Sequence, residues 1–135
     1  MENLKEIEVL LVEDNPSDIE LTLRELKKHN LADKIHVLKD GGEALEYIFS
    51  KAYSGNDFNN IVVLLDLKLP KVDGLEVLKT LKSNQRTNAI HVIVLTSSAE
   101  EQDIIETYSV GVDGYIVKPV DFDKFVKAVS EIGLS

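Results

Sequence analysis

Apolar residues along this chain fall into short β-rich runs, and between the runs they recur at helical spacing. Residues 7–12 (IEVLLV), 34–38 (KIHVL), 61–66 (IVVLLD), 90–95 (IHVIVL) and 115–117 (YIV) read as five strands. The third is an unbroken apolar run that ends in Asp66. Such a run suits a strand covered on both faces, as in a parallel sheet with helices on each side. Ile19, Leu23 and Leu26 mark the inner stripe of a first helix that runs to about His29. Asn15 can cap this helix, and Pro16 suits its first turn. Asp40, Gly41 and Gly42 stop the second strand, and Ala44, Leu45, Ile48 and Phe49 give the next helix its inner face. Residues 53–60 are polar and read as a surface loop. A third helix is predicted over 74–83, with Leu75, Leu78 and Leu81 inward, and a fourth over 99–109. Residues 111–114 form a turn, and Asp121 can cap a last helix with Phe125, Val129 and Ile132 facing the core.

Five strands alternating with five helices imply an α/β fold in three layers, a parallel sheet covered on both sides. Right-handed crossovers leave few ways to wind it, and the expected solution is the doubly wound, flavodoxin-like order 2-1-3-4-5. Strands 1 and 3 are then neighbours at the switch point, where open α/β sheets place their ligands.

Composition narrows the picture. With 135 residues, 44% of them hydrophobic and 29% charged, the chain suits one globular domain spanning 1–135. No apolar run approaches the ~18 residues of a membrane span, and the N-terminus carries no cleavable signal pattern. The absence of cysteine excludes a disulfide framework and thiolate metal sites, in keeping with a cytoplasmic location. A net charge of −9 argues against a nucleic-acid surface, which needs a positive patch. About one helix remains after Lys118, so no output domain is expected.

The predicted order brings Glu13, Asp14 and Asp66 to one crevice at the ends of strands 1 and 3. Two carboxylates ~5 Å apart repel by roughly 3 kcal/mol at an effective dielectric of ~20. Three together call for a cation, and magnesium suits hard oxygen ligands. Lys118, closing strand 5, can reach the same crevice, and Thr96, ending strand 4, adds a hydroxyl. A carboxylate nucleophile, a divalent cation, an ammonium and a hydroxyl are what phosphoryl transfer needs, because its catalysis is mostly positioning and charge neutralisation. Asp66 would attack in line and become an aspartyl phosphate. Each residue alone has a plainer reading: Asp66 as a helix cap, Glu13 and Asp14 as helix-terminal charge, Lys118 as a solvated lysine, Thr96 as a cap. Their joint occurrence at four strand ends favours the chemical reading. His29, His36 and His91 have no ligand-like neighbours and read as structural.

This set resembles the receiver domain of two-component response regulators (CheY-like) along the whole chain. It rests on Glu13-Asp14, Asp66, Pro70 and Gly74, Thr96, and Lys118-Pro119 after their respective strands. The LDLKLPKVDGLEVL run and the IVKPVDFDKF ending resemble the single-domain regulators that partner bacterial phytochromes. The resemblance implies that Asp66 accepts phosphate from a phosphohistidine on a sensor histidine kinase, a bacterial phytochrome by the narrower likeness. It implies Mg2+ held by Asp14, Asp66 and the backbone carbonyl of Lys68, with Glu13 acting through water. Lys118 would contact the phosphoryl group and form a cis bond to Pro119. Thr96 and Tyr115 match the switch pair, although Tyr115 alone reads equally as a half-buried strand aromatic. By the same likeness the protein is a phosphoacceptor that catalyses its own phosphorylation and dephosphorylation, not an enzyme on other substrates. Lys68 and Ser98 occupy positions that influence the phosphate lifetime.

Ile104 and Ile105 cannot both face the core, so an apolar patch near Tyr108 offers a partner surface. Protein contacts, including a homodimer, are expected through the fourth predicted helix, the fifth strand and the last helix. Neither nucleic acid nor membrane is an expected partner. Three rivals remain at this point. A flavin carrier needs phosphate-binding donors where this chain has Glu13-Asp14-Asn15-Pro16. An aspartate-nucleophile phosphatase usually has a second acid where this chain has Lys68, and needs a cap domain. A degenerate receiver would lack part of the charged set.

Overall fold

The computed structural model describes residues 7–29, 31, 34–55, 58, 60–67, 69, 72–97 and 109–131. Its strands are β1 (Glu8–Val12), β2 (Lys34–Leu38), β3 (Ile61–Asp66), β4 (His91–Thr96) and β5 (Gly114–Val117). They form one sheet in the order β2-β1-β3-β4-β5, and every neighbouring pair is parallel. This is the expected doubly wound order. All six residues of β3 are buried, which explains why its sequence shows no polar alternation.

Four helices lie among the described residues: α1 (Pro16–Lys28), α2 (Gly41–Tyr53), α3 (Gly74–Lys82) and α4 (Phe122–Glu131). They cover the two faces of the sheet. On one face, Leu10, Val12, Val63, Leu65, Val92 and Val94 pack with Ala44 and Ile48 of α2 and with Val77, Leu78 and Leu81 of α3. On the other, Val9, Leu11, Val62, Leu64, Ile93 and Leu95 pack with Leu26 of α1 and with Phe125 and Val129 of α4. Alternate residues of each strand feed the two cores, so the sheet has no solvent face.

Several expected boundaries shift. In α1 the buried positions are Thr22 and Leu26, while Ile19 and Leu23 flank them half-buried. The α2 helix continues through Tyr53, the first residue of the stretch that the polar pattern reads as a loop. In α3 Val77 is buried and Leu75 only partly so. β4 begins and ends one residue later than predicted, at His91 and Thr96. Most of the predicted fourth helix, with Ile104, Ile105 and Tyr108, lies outside the described residues, as do Lys68, Pro70, Ser98 and Ile132.

Candidate functional site

The strand register brings the candidate residues to one edge of the sheet. Val12 pairs with Leu65, so Glu13 and Asp66 leave neighbouring strands at the same level. Asp66 lies opposite Leu95, and Thr96 opposite Val117, which places Lys118 one residue beyond.

Local hydrogen bonds fix each segment. Glu13 donates its N–H to the carbonyl of Leu38 at 3.0 Å, which holds the chain as it leaves β1. Asn15 then caps α1, its side-chain oxygen accepting from the Asp18 N–H at 3.0 Å, and Pro16 is the first helical residue. After Asp66, the Leu67 N–H bonds to the Leu95 carbonyl at 3.3 Å, and the Gly74 N–H returns to the Leu67 carbonyl at 2.9 Å. Asp73 caps α3 by accepting from the Glu76 N–H at 3.1 Å. The Lys118–Pro119 peptide bond is cis. Lys124 donates to the carbonyls of Val117 at 3.0 Å and Pro119 at 3.2 Å, bracing the backbone on both sides of Lys118.

Glu13, Asp14 and Asp66 each offer an oxygen within 4.8 Å of the others. Glu13 is 1% and Asp66 6% exposed, while Asp14 is open to solvent. The Lys118 ammonium lies 2.8 Å from Glu13 Oε1, 2.8 Å from Asp18 Oδ2 and 3.4 Å from Asp66 Oδ2. Contacts to Asp18 and Asp66 are aligned hydrogen bonds. Glu13 Oε1 is close but off the bonding direction, so this buried oxygen has no hydrogen-bond partner. Its companion Oε2 accepts from the Asn15 N–H at 3.3 Å.

The electrostatics follow from burial. Desolvation raises the Glu13 pKa from 4.5 to about 7, with the Asp66 carboxylate adding to the rise and Lys118 opposing it. For Lys118, burial works against the charged form, but the hydrogen bond to Asp18 and the adjacent carboxylates of Glu13 and Asp66 outweigh it and push its pKa above the ordinary value. A divalent cation fits this donor set. Three convergent carboxylate oxygens suit a hard ion, and Glu13 Oε1, which meets the Lys118 ammonium without an aligned hydrogen bond, is a group that a cation or its water would satisfy.

Tyr115 is half-buried on β5, beside the core formed with α2 and α3. Thr96 ends β4, and its side chain, like Lys68, Ile104 and Tyr108, lies outside the described set. The histidine rings lie beside acidic side chains away from the crevice: His29 near Glu25 at 3.7 Å, His36 near Glu8 at 3.2 Å and His91 near Asp113 at 3.8 Å. Nothing in the sequence marks Asp18 as a site residue. Its position in the first turn of α1 is legible, but its contact with a lysine 100 residues away is not.

A five-stranded 2-1-3-4-5 sheet carrying an acidic trio and a lysine at its C-terminal edge defines a signalling receiver. The chain matches the response regulator receiver domain over residues 9–130 and belongs to that family. Among solved structures it is similar to the bacteriophytochrome response regulator AtBRR (50% identity, 96% of this chain and 95% of that one, TM-score 0.83). It is also similar to the phosphorylated cyanobacterial phytochrome response regulator RcpA (36%, 96% and 94%, TM-score 0.77). The Mn2+-bound form of response regulator Rcp1 aligns too (34%, 94% and 91%, TM-score 0.69). A curated relative, the probable methanogenesis regulatory protein FilR2 of Methanothrix harundinacea, is 40% identical over 92% of this chain and 79% of its own. Membership of this family removes the flavin-carrier and phosphatase readings. Among the described residues no helix is long and apolar enough to cross a membrane.

Proposed function

We propose that this chain works as a cytoplasmic response regulator receiver that takes a phosphoryl group onto Asp66 from the phosphohistidine of a sensor kinase. The observation that carries this reading is the convergence of Asp66 with two further carboxylates and one lysine ammonium at a sheet edge. An Asp66 oxygen attacks the phosphorus, a P–O bond forms and the P–N bond breaks. The electron pair of that bond returns to the imidazole, and the product on this chain is an acyl phosphate. Asp66 gives up no proton, because it attacks as the carboxylate.

Asp14, Asp66 and the Lys68 backbone carbonyl would hold Mg2+, with Glu13 acting through water. When bound, the ion neutralises charge on the phosphoryl oxygens. Lys118 places a second positive charge beside the same oxygens. Hydrolysis of the acyl phosphate by water returns the resting state, so the chain takes part in its own phosphorylation and dephosphorylation. Thr96 and Tyr115 form the switch that reports the modification, a shift between two states with different contacts. Its outputs are protein contacts through Ile104, Tyr108, β5 and α4, including a homodimer. A bacterial phytochrome is the kinase this reading favours, since AtBRR and RcpA are named as phytochrome regulators.

The test is direct. Incubation with acetyl phosphate and Mg2+ adds the mass of one phosphoryl group, chelation prevents it, and Asp66→Asn abolishes it. An undiminished gain in Asp66→Asn overturns the assignment.

A further inference from the structure

Lys118 has three carboxylate neighbours, and they are not equivalent. Asp18 makes a short, aligned hydrogen bond at 2.8 Å. Glu13 Oε1 is as close but misaligned, and Asp66 is more distant at 3.4 Å. Glu13 and Asp66 also belong to the trio that converges on a cation, whereas Asp18 does not. A cation on that trio engages the very carboxylates that face the ammonium, and at short range it repels the ammonium itself. Of the three partners, Asp18 is the one left to hold Lys118 in place.

The surrounding structure makes Asp18 a firm anchor. It sits in the first turn of a capped helix. Two turns further along, Glu25 of the same helix accepts from the Phe122 N–H at 3.1 Å, so α1 grips the segment between β5 and α4 at two points. Side-chain exposure at the Lys118–Asp18 pair is 15% and 33%, enough to limit but not remove solvent screening.

We propose that Asp18 is the positioning residue that keeps the Lys118 ammonium beside Asp66 once a cation has drawn Glu13 and Asp66 away from it. This rests on the phosphoacceptor reading given above. Two measurements test it. Reductive methylation of Lys118, read by peptide mass spectrometry, needs no phosphoryl transfer. In the wild type Mg2+ leaves Lys118 protected; in Asp18→Asn it raises the methylation rate about fivefold. Phosphorylation by acetyl phosphate slows in Asp18→Asn by a similar factor, and Asp18→Glu restores both properties. In a Lys118→Gln background, Asp18→Asn adds no further loss. Urea unfolding verifies that each variant is folded.

The proposal is overturned if Lys118 stays equally protected in Asp18→Asn with Mg2+. It is also overturned if that variant is phosphorylated faster, as mere removal of a negative charge near an anionic donor would produce. A wild type that takes no phosphoryl group overturns the reading of Asp66, while the methylation result still decides for or against the tether.

Discussion

Burial and neighbouring charge lift the Glu13 carboxyl from 4.5 to about 7 in the folded chain, and the pH dependence of stability follows. A raised acid pKa means that the folded state binds the proton more tightly than the unfolded one. This contribution to stability is fully present below pH 4.5, declines as pH rises through the interval, and is gone above about 7. Its ceiling is about 3 kcal/mol, and with Glu13 only 1% exposed, screening by water reduces it little. Glu13→Gln is nearly isosteric and does not titrate. Without divalent cations, urea unfolding should therefore find Glu13→Gln more stable than the wild type at pH 8, with the difference shrinking toward pH 5. A difference that is constant across this range would show that burial of the charge is not its cause.

At the scale of elements, the join between β3 and α3 is tight. A Cβ on Gly74 would overlap the carbonyl oxygen of Asp66, and one on Gly41 would overlap that of Val72. The N-terminus of α3 thus lies directly against the backbone that carries Asp66, and only a residue without a side chain allows it. Gly74→Ala is expected to cost about 3 kcal/mol in urea unfolding and to weaken cation binding by displacing Asp66. Gly42→Ala is the control: its Cβ meets only the Asp40 carboxylate, at 3.3 Å, and should change stability by less than about 1 kcal/mol. These contacts mark where the sequence stops being readable. The strands were legible because buried parallel strands are written as apolar runs. Glu13, Asp14, Asp66 and Lys118 were legible because each directly follows such a run, so strand order alone brings them together. Asp18 was not, because its partner depends on the rotation of α1 about its axis and on the path of a distant loop. The Gly74 contact was hidden for a similar reason, since it depends on how the chain folds back after Asp66. Thr22 shows the limit for cores: helix phase buries it ahead of the more hydrophobic Ile19 and Leu23.

For the whole molecule, a net charge of −9 means that any added salt screens self-repulsion and gives some stability. A genuine cation centre must be distinguished from that general effect. Mg2+ at a hundredfold excess over its dissociation constant stabilises a one-site binder by about 3 kcal/mol. Sodium chloride at matched ionic strength supplies only the screening. The wild type should therefore show a larger rise in its urea midpoint with Mg2+ than with matched sodium chloride. Asp14→Asn removes an exposed member of the trio without touching the core, and should lose most of the Mg2+-specific increment while keeping the sodium response. If matched sodium chloride reproduces the whole effect of Mg2+, the acidic edge acts through bulk charge alone. Glu13, Asp14 and Asp66 would then be a repulsive cluster that the lysine tempers, and not a cation centre.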